Sequence, residues 1–318
     1  NNNATTASIT VNESGTYSVT VSNAEGCSAT SSPVTVTVNP LPAIPVISTS
    51  GSTAVCVGSP VTLTASGAVS GKAIDFDGVN DNIVIPNNAV FNFTSQYTAE
   101  SWINLRSYQY GTIISKFEDD NNNRGWMVNI GETGAPTIHV VHSRLGTWTN
   151  PIQWNSGFQP VLNTWYHIAV VFDATLSSNQ IKLYVNGTLT AQTSWPYTLT
   201  PNAANMYIGG YDGPGNGVNG GANGRFFNGR LDEVRVWNVA RTASQISANY
   251  NQAINAPVAG LVAAYAFNEN SGIAIADITG MNNGTMVNNP TRITNGPLLS
   301  GAGNNTYLWS TGASGASI

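Results

Sequence analysis

Runs of alternating apolar and polar residues, separated by Gly, Pro and Asn, constrain the fold of this chain more than any other feature. In SITVNESGTYSVTV, residues 8–21, the apolar side chains share one parity on both sides of the turn NESG. ESWINL and WYHIAVVF also place large apolar residues at alternate positions. A period of two is typical of strands with one buried face. The sequence therefore predicts an all-β protein with almost no helix.

Charge content and the length of the apolar runs argue against two classes of partner, nucleic acids and membranes. Only 8% of the residues are charged, with 11 basic and 16 acidic residues giving a net charge of -5. The basic residues are scattered, so we expect no nucleic-acid surface. No stretch approaches the ~18 apolar residues of a membrane span, so we expect no membrane insertion. The chain begins NNNATTASI, without a charged and then apolar leader, and this suggests an excised internal piece.

Proline and a repeated sequence style indicate the domain organisation. Pro40, Pro42 and Pro45 cannot donate to a sheet ladder, which predicts a domain boundary near residues 39–46. The end of the chain, ASGASI at 313–318, is similar to ATTASI at 4–9. The simplest interpretation is a tandem array of small sandwich repeats, one of which carries a large central insert.

Two groups of segments resemble known families. CVGSPVTLTASG, YLWSTGAS and SGTYSVTVSNAEGC resemble the immunoglobulin-like repeats of large secreted bacterial surface adhesins. AIDFDGVNDNIVIP, YTAESWINL, NTWYHIAVVFD, IKLYVNGTLTA and FNGRLDEVRVWNVART resemble the laminin G-like, concanavalin A-like jelly-roll family. The resemblance implies an antiparallel jelly-roll β-sandwich flanked by immunoglobulin-like β-sandwich segments.

The resemblance also implies domain bounds and a location. Residues 1–41 would end one immunoglobulin-like repeat, 42–71 would begin the next, 72–303 would be the inserted laminin G-like domain, and 304–318 would continue the interrupted repeat. Members of the family frequently bind calcium and act in glycan binding or adhesion. An extracellular position on a bacterial cell surface follows from the same likeness.

The loop in IDFDGVNDNIVI is the candidate calcium site. Calcium takes about six to eight oxygen ligands, and clustered carboxylates repel one another unless a cation compensates them. We expect Asp77, Asn80 and Asp81 to bind structural calcium, with Asp232 arriving from the strand LDEVRVW. Alternatively, Asp77 caps an ordinary turn through its own backbone. The acidic run FEDDNNN at 117–123 and Asp277 are weaker metal candidates.

Aromatic residues outside the clear strand patterns are candidates for stacking on sugar rings. They are Trp148, Trp154, Trp195, Tyr197, Tyr108 and Tyr110. Covering the rim of the sandwich is the alternative role for each of them. By contrast, Trp102, Trp165 and Trp237 lie in alternating runs and are predicted to be core.

Catalysis is not expected. Retaining glycosidases need two carboxylates about 5 to 5.5 Å apart, and no Glu-x-Asp-x-Glu pattern occurs. His139 and His142 could approach one another in HVVH, but no third zinc ligand is evident. We therefore expect a non-enzymatic module.

Local patterns predict three further features. ARTASQISANYNQ is the one predicted helix, with Thr242 as its cap, and YVNGTL favours a type I′ hairpin. The parity break at Asp232 and Glu233 indicates either a bulge or an acid directed at a ligand. Cys27 and Cys56 either bridge each other, stay free, or pair outside this piece.

Two functions fit these observations. The first is an adhesion module that binds an extracellular glycan or surface polysaccharide and is stabilised by calcium. The second is a structural or protein-interaction module of an extracellular fibre. In that case residues 1–38 and 304–318 would present open strand edges that pair with neighbouring copies by strand complementation.

Overall fold

The computed structural model describes residues 6, 8–11, 15–36, 46–49, 54, 61, 63–66, 68–118, 124–131, 135–144, 151–211 and 225–300. The chain divides into two compact units, Asn1–Pro42 and Ala43–Ile318. The first contains β1 (Gly15–Tyr17), β2 (Thr20–Ser22), β3 (Ser28–Thr30) and β4 (Val34–Val36). Strand β1 pairs with β4 and β2 with β3, both antiparallel.

The second unit holds all the other described strands. Those in chain order are β5 (Val46–Thr49), β6 (Leu63–Ser66), β7 (Ala68–Ser70), β8 (Ala73–Asp77), β9 (Asn82–Ile85), β10 (Gln96–Leu105), β11 (Gly111–Glu118), β12 (Arg124–Ile130), β13 (Ile138–Ser143), β14 (Ile152–Asn155), β15 (Trp165–Asp173), β16 (Ile181–Val185), β17 (Thr188–Thr193), β18 (Met206–Ile208), β19 (Asn228–Trp237), β20 (Leu261–Tyr265), β21 (Ala274–Ile275), β22 (Gly284–Val287), β23 (Thr291–Ile293) and β24 (Leu298–Ser300).

Two eight-stranded antiparallel sheets form the body of this unit. Sheet I has the order β17-β16-β15-β10-β19-β8-β23, with β20 also paired to β19. Sheet II has the order β14-β13-β12-β11-β18-β9-β22-β21. The smaller ladders β5-β6 and β7-β24 lie outside these sheets. The predicted all-β antiparallel sandwich is confirmed.

Alternate residues of the two sheets fill the space between them. Phe76, Tyr97 and Phe172 from sheet I and Ile85 and Trp126 from sheet II belong to one buried cluster. The Tyr97 and Trp126 rings stack with their centroids 4.6 Å apart. Complete burial of one such side chain is worth roughly 1.5–3 kcal/mol. The hydrophobic period of two in the sequence therefore accounts directly for the core.

Helix α1, Ala243–Asn249, packs on the outer face of sheet I. Thr242 accepts a hydrogen bond from the Gln245 N–H, and the Gln245 side chain accepts one from the Thr242 N–H. This capping box confirms the predicted start of the helix. Ile246 is fully buried beside Ala169 and Val171 of β15, so the helix covers that part of the sheet. A 3₁₀ turn at Ala89–Phe91 was not predicted.

The predicted turn and bulge are also present. Asn186 and Gly187 have φ values of 47° and 81°, as a type I′ turn requires. Strand β19 has a register shift against β10 opposite Glu233, which has φ 48°. Trp102 and Trp237 are buried as predicted, whereas Trp165 is only half-buried.

A lysine is buried at one end of β11. Lys116 is 1% exposed. Its ammonium donates to Asn87 Oδ1 at 2.9 Å, to Asn202 Oδ1 at 2.9 Å and to the Asn202 carbonyl at 3.0 Å. It also donates to the carbonyl of Ala204. These oxygens tie the chain around residues 202–204 to sheet II.

Several predictions fall on residues outside the described ranges. Residues 304–318 and Cys56 are among them, so the immunoglobulin-like segments and strand complementation stay predictions. Cys27 is exposed and forms no disulfide. Within the described ranges, no helix combines the length and apolar character needed to cross a membrane.

Candidate functional site

A row of uncharged polar residues crosses four strands on the outer face of sheet II. Thr112 of β11 pairs with Asn129, Asn129 with His139, and His139 with Asn155. These residues have the opposite parity to core residues such as Ile138 and Val140. Because successive strand residues face opposite sides, all four side chains lie on one face. We call Thr112, Asn129, His139 and Asn155 the outer row.

The outer row is buried at one end and exposed at the other. Thr112 and Asn129 are completely buried and His139 is 1% exposed, whereas Asn155 is exposed. Thr137 Oγ1 donates to Asn155 Oδ1 at 2.7 Å and lies 3.0 Å from His139 Nε2. Gln153 projects from the same face of β14 and is also exposed. The accessible part of this face is therefore the edge strand β14.

Two hydroxyl groups on this face have no partner among the described residues. They are Thr112 Oγ1 and Ser143 Oγ, and both are buried. A buried polar group without a hydrogen bond costs about 1–3 kcal/mol. Unsatisfied groups of this kind are a feature of places where a ligand supplies the missing partner.

One arginine lies beside the outer row. The Arg225 guanidinium carbon lies 4.7 Å from the Tyr110 ring centroid and 4.8 Å from that of Tyr211. The Arg225 carbonyl accepts a 2.8 Å hydrogen bond from the Thr112 N–H, which fixes the arginine next to the row. Tyr211 packs below it in an apolar cluster with Phe117, Met127 and Val141.

The predicted sugar-binding aromatics are in different environments. Trp195 is 3% exposed and packs against His142 at 5.0 Å and Phe172 at 5.7 Å. Its prediction as a ligand contact is wrong, because its ring is part of the core. Trp148 lies outside the described residues. Trp154 belongs to strand β14, not to a loop, and is half-buried against the core.

The three tyrosines of the prediction are half-buried. Tyr197 contacts Trp195 and carries Arg144 at 5.3 Å from its ring centroid. The Tyr108 hydroxyl donates to the Pro160 carbonyl at 3.0 Å. Tyr110 stacks with Arg225. Of the predicted set, Tyr110 is the residue that the structure places beside the outer row through Arg225.

The candidate calcium loop links β8 to β9. Asp77 Oδ1 accepts from the Val79 N–H at 2.7 Å and the Asn80 N–H at 3.4 Å, so Asp77 does cap the turn. Asp81 Oδ2 accepts from the Asp77 N–H at 3.1 Å, while Asp81 Oδ1 is buried without a partner. Burial raises the pKa of Asp81 to about 6, and the negative charges of Asp77 and Asp75 contribute to the rise. The loop thus holds one uncompensated carboxylate oxygen.

The structure does not bring Asp232 to this loop. Asp77 pairs with Asn228, and Asp232 lies four residues further along β19, roughly 13 Å away at 3.3 Å per residue. Asp232 is 1% exposed on the outer face of sheet I. Burial and the neighbouring charge of Glu233 raise its pKa well above the usual range. A ligand set combining Asp232 with the loop is therefore corrected to the loop residues alone.

The weaker metal candidates have other roles. Glu118 forms an ion pair with Arg124, and Asp119 and Asp120 lie outside the described residues. Asp277 accepts hydrogen bonds from the backbone N–H groups of Ala264 at 2.9 Å and Asn282 at 3.0 Å. Where the structure describes the chain, no three His, Cys, Asp or Glu side chains form a metal-binding group.

The histidines of HVVH point to opposite faces. His142 lies in the core, with Nε2 2.8 Å from the Tyr97 hydroxyl, and burial lowers its pKa to about 3. His139 lies in the outer row. From the sequence, His139 was a candidate only as a zinc ligand, although the alternation in IHVVHS places it on the opposite face from His142.

Comparisons with known proteins identify the fold. A family model described as the concanavalin A-like lectin/glucanases superfamily matches residues 77–247, more than half of the chain. A similar solved structure is a proposed carbohydrate-binding protein from Bacteroides ovatus, with 24% identity and a TM-score of 0.57 over 75% of this chain and 69% of that one. Comparison with functionally curated proteins gave no significant match.

Two other solved structures have lower similarity. A heptameric SAP-like pentraxin from Limulus polyphemus has 16% identity and a TM-score of 0.42, covering 56% of this chain and 81% of that one. Domain 4 of an extracellular arabinanase from Geobacillus stearothermophilus, in complex with arabinotriose, has 15% identity and a TM-score of 0.38, covering 64% and 80%. Given the family match and the two antiparallel sheets, the chain belongs to the concanavalin A-like lectin/glucanases superfamily.

Proposed function

We propose that this chain is a non-catalytic carbohydrate-binding module that acts in adhesion at a bacterial cell surface. The observation that carries the proposal is the outer row, where hydroxyl, amide and imidazole groups from four neighbouring strands converge on one sheet face. Sugars present hydroxyl groups that both donate and accept hydrogen bonds, and these side chains match them without charge. The Bacteroides ovatus protein of similar fold is itself a proposed carbohydrate-binding protein, which supports the proposal of carbohydrate binding.

Binding would begin at the exposed edge of the row. Gln153 and Asn155 are exposed on β14, and the buried hydroxyl of Thr112 lacks a partner at the other end. A sugar entering from β14 would meet amide groups first. Tyr110, beside Arg225, offers aromatic surface at the far end of the row.

A glycan array followed by calorimetry tests this proposal. We expect the protein to bind at least one oligosaccharide, and Gln153→Ala to weaken that binding about 5- to 10-fold by removing a side-chain hydrogen bond. Gln192→Ala is the matched control, because Gln192 is exposed on β17 at the edge of sheet I. An equal effect of both substitutions would place the site elsewhere, and an array without any bound glycan would refute the proposal.

The positions of the acids support a non-catalytic role. Asp232 and Glu233 are adjacent, but both are buried beneath the covering of sheet I, at 1% and 2% exposure. The outer row itself contains no carboxylate. A hydrolase of the two-carboxylate type needs both acids at the bound sugar. Incubating bound oligosaccharides with the protein and finding no cleavage products is the expected result.

We also propose that the loop of Asp77, Asn80 and Asp81 binds structural calcium. Among the described residues, Asp81 Oδ1 is a buried carboxylate oxygen without a hydrogen-bond donor, and Asn82 Oδ1 next to it is likewise unpaired. Oxygen atoms from carboxylates and amides are the ligands that calcium prefers. Bound calcium would supply positive charge that stabilises the ionised form of Asp81.

A further inference from the structure

Arg225 and Arg144 differ from the other arginines in lacking a carboxylate partner among the described residues. Six arginines of the described chain lie within 4 Å of a carboxylate, namely Arg106, Arg124, Arg230, Arg235, Arg241 and Arg292. Arg225 has no such partner among the described residues. Its guanidinium rests on the rings of Tyr110 and Tyr211.

The tyrosine rings position the guanidinium without using its hydrogen-bond donors. A cation over an aromatic ring is attracted to the π-electrons, while the N–H groups lie in the guanidinium plane. No N–H group of Arg225 donates a hydrogen bond within the described structure, although the residue is half-buried. An arginine that is oriented, partly desolvated and without an acceptor has the form of a binding group.

The surroundings of Arg225 favour an anion. Its backbone carbonyl is bonded to the Thr112 N–H, so the guanidinium belongs to the end of the outer row where the Thr112 hydroxyl lacks a partner. The outer row, Ser143 and Gln153 are all uncharged, so none of these side chains repels a negative group. Two planar N–H groups of an arginine fit the two oxygens of a carboxylate better than any single-point donor does.

We propose that the carbohydrate ligand is acidic and that Arg225 binds its carboxylate, as carried by a uronic or sialic acid residue. The inference rests on the proposed carbohydrate-binding function. The ligand would contact the exposed amides of β14 with its hydroxyl groups and the half-buried Arg225 with its carboxylate.

Matched pairs of sugars that differ in charge test this proposal. Trigalacturonate is compared with its methyl ester, and 3′-sialyllactose with its methyl ester, by calorimetry on the full chain. We expect at least one acidic member to bind about 10- to 100-fold more tightly than its neutral partner, as a charge-assisted bidentate hydrogen bond provides. Arg225→Gln should remove that preference. The preference should also weaken with added salt.

Arg144→Gln is the matched control. Arg144 also lacks a carboxylate partner among the described residues and rests on a tyrosine, Tyr197, at 5.3 Å, but it does not contact the outer row. This substitution should leave the preference for acidic sugars intact. Arg225→Lys keeps the charge but not the planar pair of donors, and should retain less than a tenth of the wild-type preference. It replaces Arg225→Gln in the comparison if that variant fails to fold.

The outcomes separate this proposal from the function on which it rests. Binding of neutral sugars with no preference for acidic ones overturns the role of Arg225 and leaves carbohydrate binding standing. A preference for acidic sugars that survives both Arg225 substitutions also overturns it. No binding to any sugar, acidic or neutral, overturns both proposals.

Discussion

The outer faces of the two sheets differ in the charge of their buried polar groups. On sheet I, Glu100 of β10 is completely buried and paired with Arg241, Arg235 and His167. On the outer face of sheet II, the outer row is uncharged, and the hydroxyls of Thr112 and Ser143 have no partner in the described structure. Helix α1 covers the outer face of sheet I, with Ile246 buried against β15 and β16.

This difference separates buried charges, which are ion-paired, from buried uncharged groups. Charges enclosed under a covering element must be neutralised within the protein, because an unpaired buried charge costs several kcal/mol. Uncharged hydroxyl and amide groups cost less when unsatisfied, so a fold tolerates a few of them. The outer face of sheet I, here called the closed face, thus encloses ion-paired charges, whereas the outer row of sheet II is built from hydroxyl, amide and imidazole groups.

The largest expected effect on stability comes from removing the charge of Glu100 on the closed face. Glu100→Gln should lower the free energy of unfolding by about 3–5 kcal/mol in urea denaturation, because it leaves Arg241 with an uncompensated buried charge. Glu118→Gln, which breaks the more exposed pair with Arg124, should cost less than about 1 kcal/mol. Equal costs would contradict the distinction between enclosed and exposed charges.

The same group gives a pH dependence. Burial acts to raise the pKa of Glu100, but the hydrogen bond with His167 and the charges of Arg241 and Arg235 lower it to about 2. A carboxylate with a depressed folded pKa stabilises the protein above its unfolded pKa of about 4.3 and loses that contribution as pH falls toward 2. Denaturation at pH 6 and pH 3 should show this loss in the wild type and much less of it in Glu100→Gln.

Calcium should stabilise the protein by binding the loop of Asp77, Asn80 and Asp81, not the closed face of sheet I. At a hundredfold excess over its Kd, an ion that binds only the native state stabilises by about 2.7 kcal/mol, or roughly 5–10 °C in Tm for a domain of this size. Thermal unfolding with calcium and with chelator should show this shift in the wild type and not in Asp81→Asn. Asp232→Asn should keep the shift, because Asp232 lies on the closed face. Loss of the shift in both variants would reinstate Asp232 as a ligand.

Replacing a buried threonine by valine should have opposite effects on the free energy of unfolding on the two sheets. Thr112→Val should raise the free energy of unfolding by about 1 kcal/mol, since it replaces a buried hydroxyl without a partner by a methyl group of similar shape. Thr98→Val should lower it by about 1–2 kcal/mol. The Thr98 hydroxyl donates to the Val239 carbonyl at 2.8 Å and accepts from the Arg241 N–H at 2.9 Å. Stabilisation by Thr112→Val should be accompanied by weaker sugar binding.

The smallest effect concerns the helix that covers sheet I. Thr242→Ala removes the capping hydrogen bond and should cost about 1 kcal/mol in urea denaturation. Ser247→Ala, at an exposed position within the helix, is the control and should be nearly neutral. Neither change should alter sugar binding, because α1 lies on the opposite sheet.

Features that depend on neighbouring residues could be predicted from the sequence. The period of two predicted the sandwich, Thr242 predicted the start of α1, and Asn186 and Gly187 predicted the hairpin turn. The parity break at Glu233 likewise marked the bulge. In each case, the interacting residues lie within a few positions of one another.

The candidate site depends on register between distant strands, which no local pattern contains. Thr112 and Asn155 reach one row only through the pairing of β11, β12, β13 and β14. Asp232 was expected to join the calcium loop from the strand LDEVRVW, but the register of β8 and β19 separates it from Asp77. Trp195 was assigned to a surface because TSWPYTL has no clear period, and burial of such a segment is decided by tertiary packing.

Lys116 gives the sandwich an internal cation that cannot dissociate. A calcium ion stabilises a loop only in proportion to its free concentration, so chelation or dilution removes its contribution. The Lys116 ammonium is likewise surrounded by amide and carbonyl oxygens. Because it is covalently attached to β11, it does not depend on the concentration of a free ion. The segment at 202–204 should therefore remain anchored in environments that strip calcium from the protein.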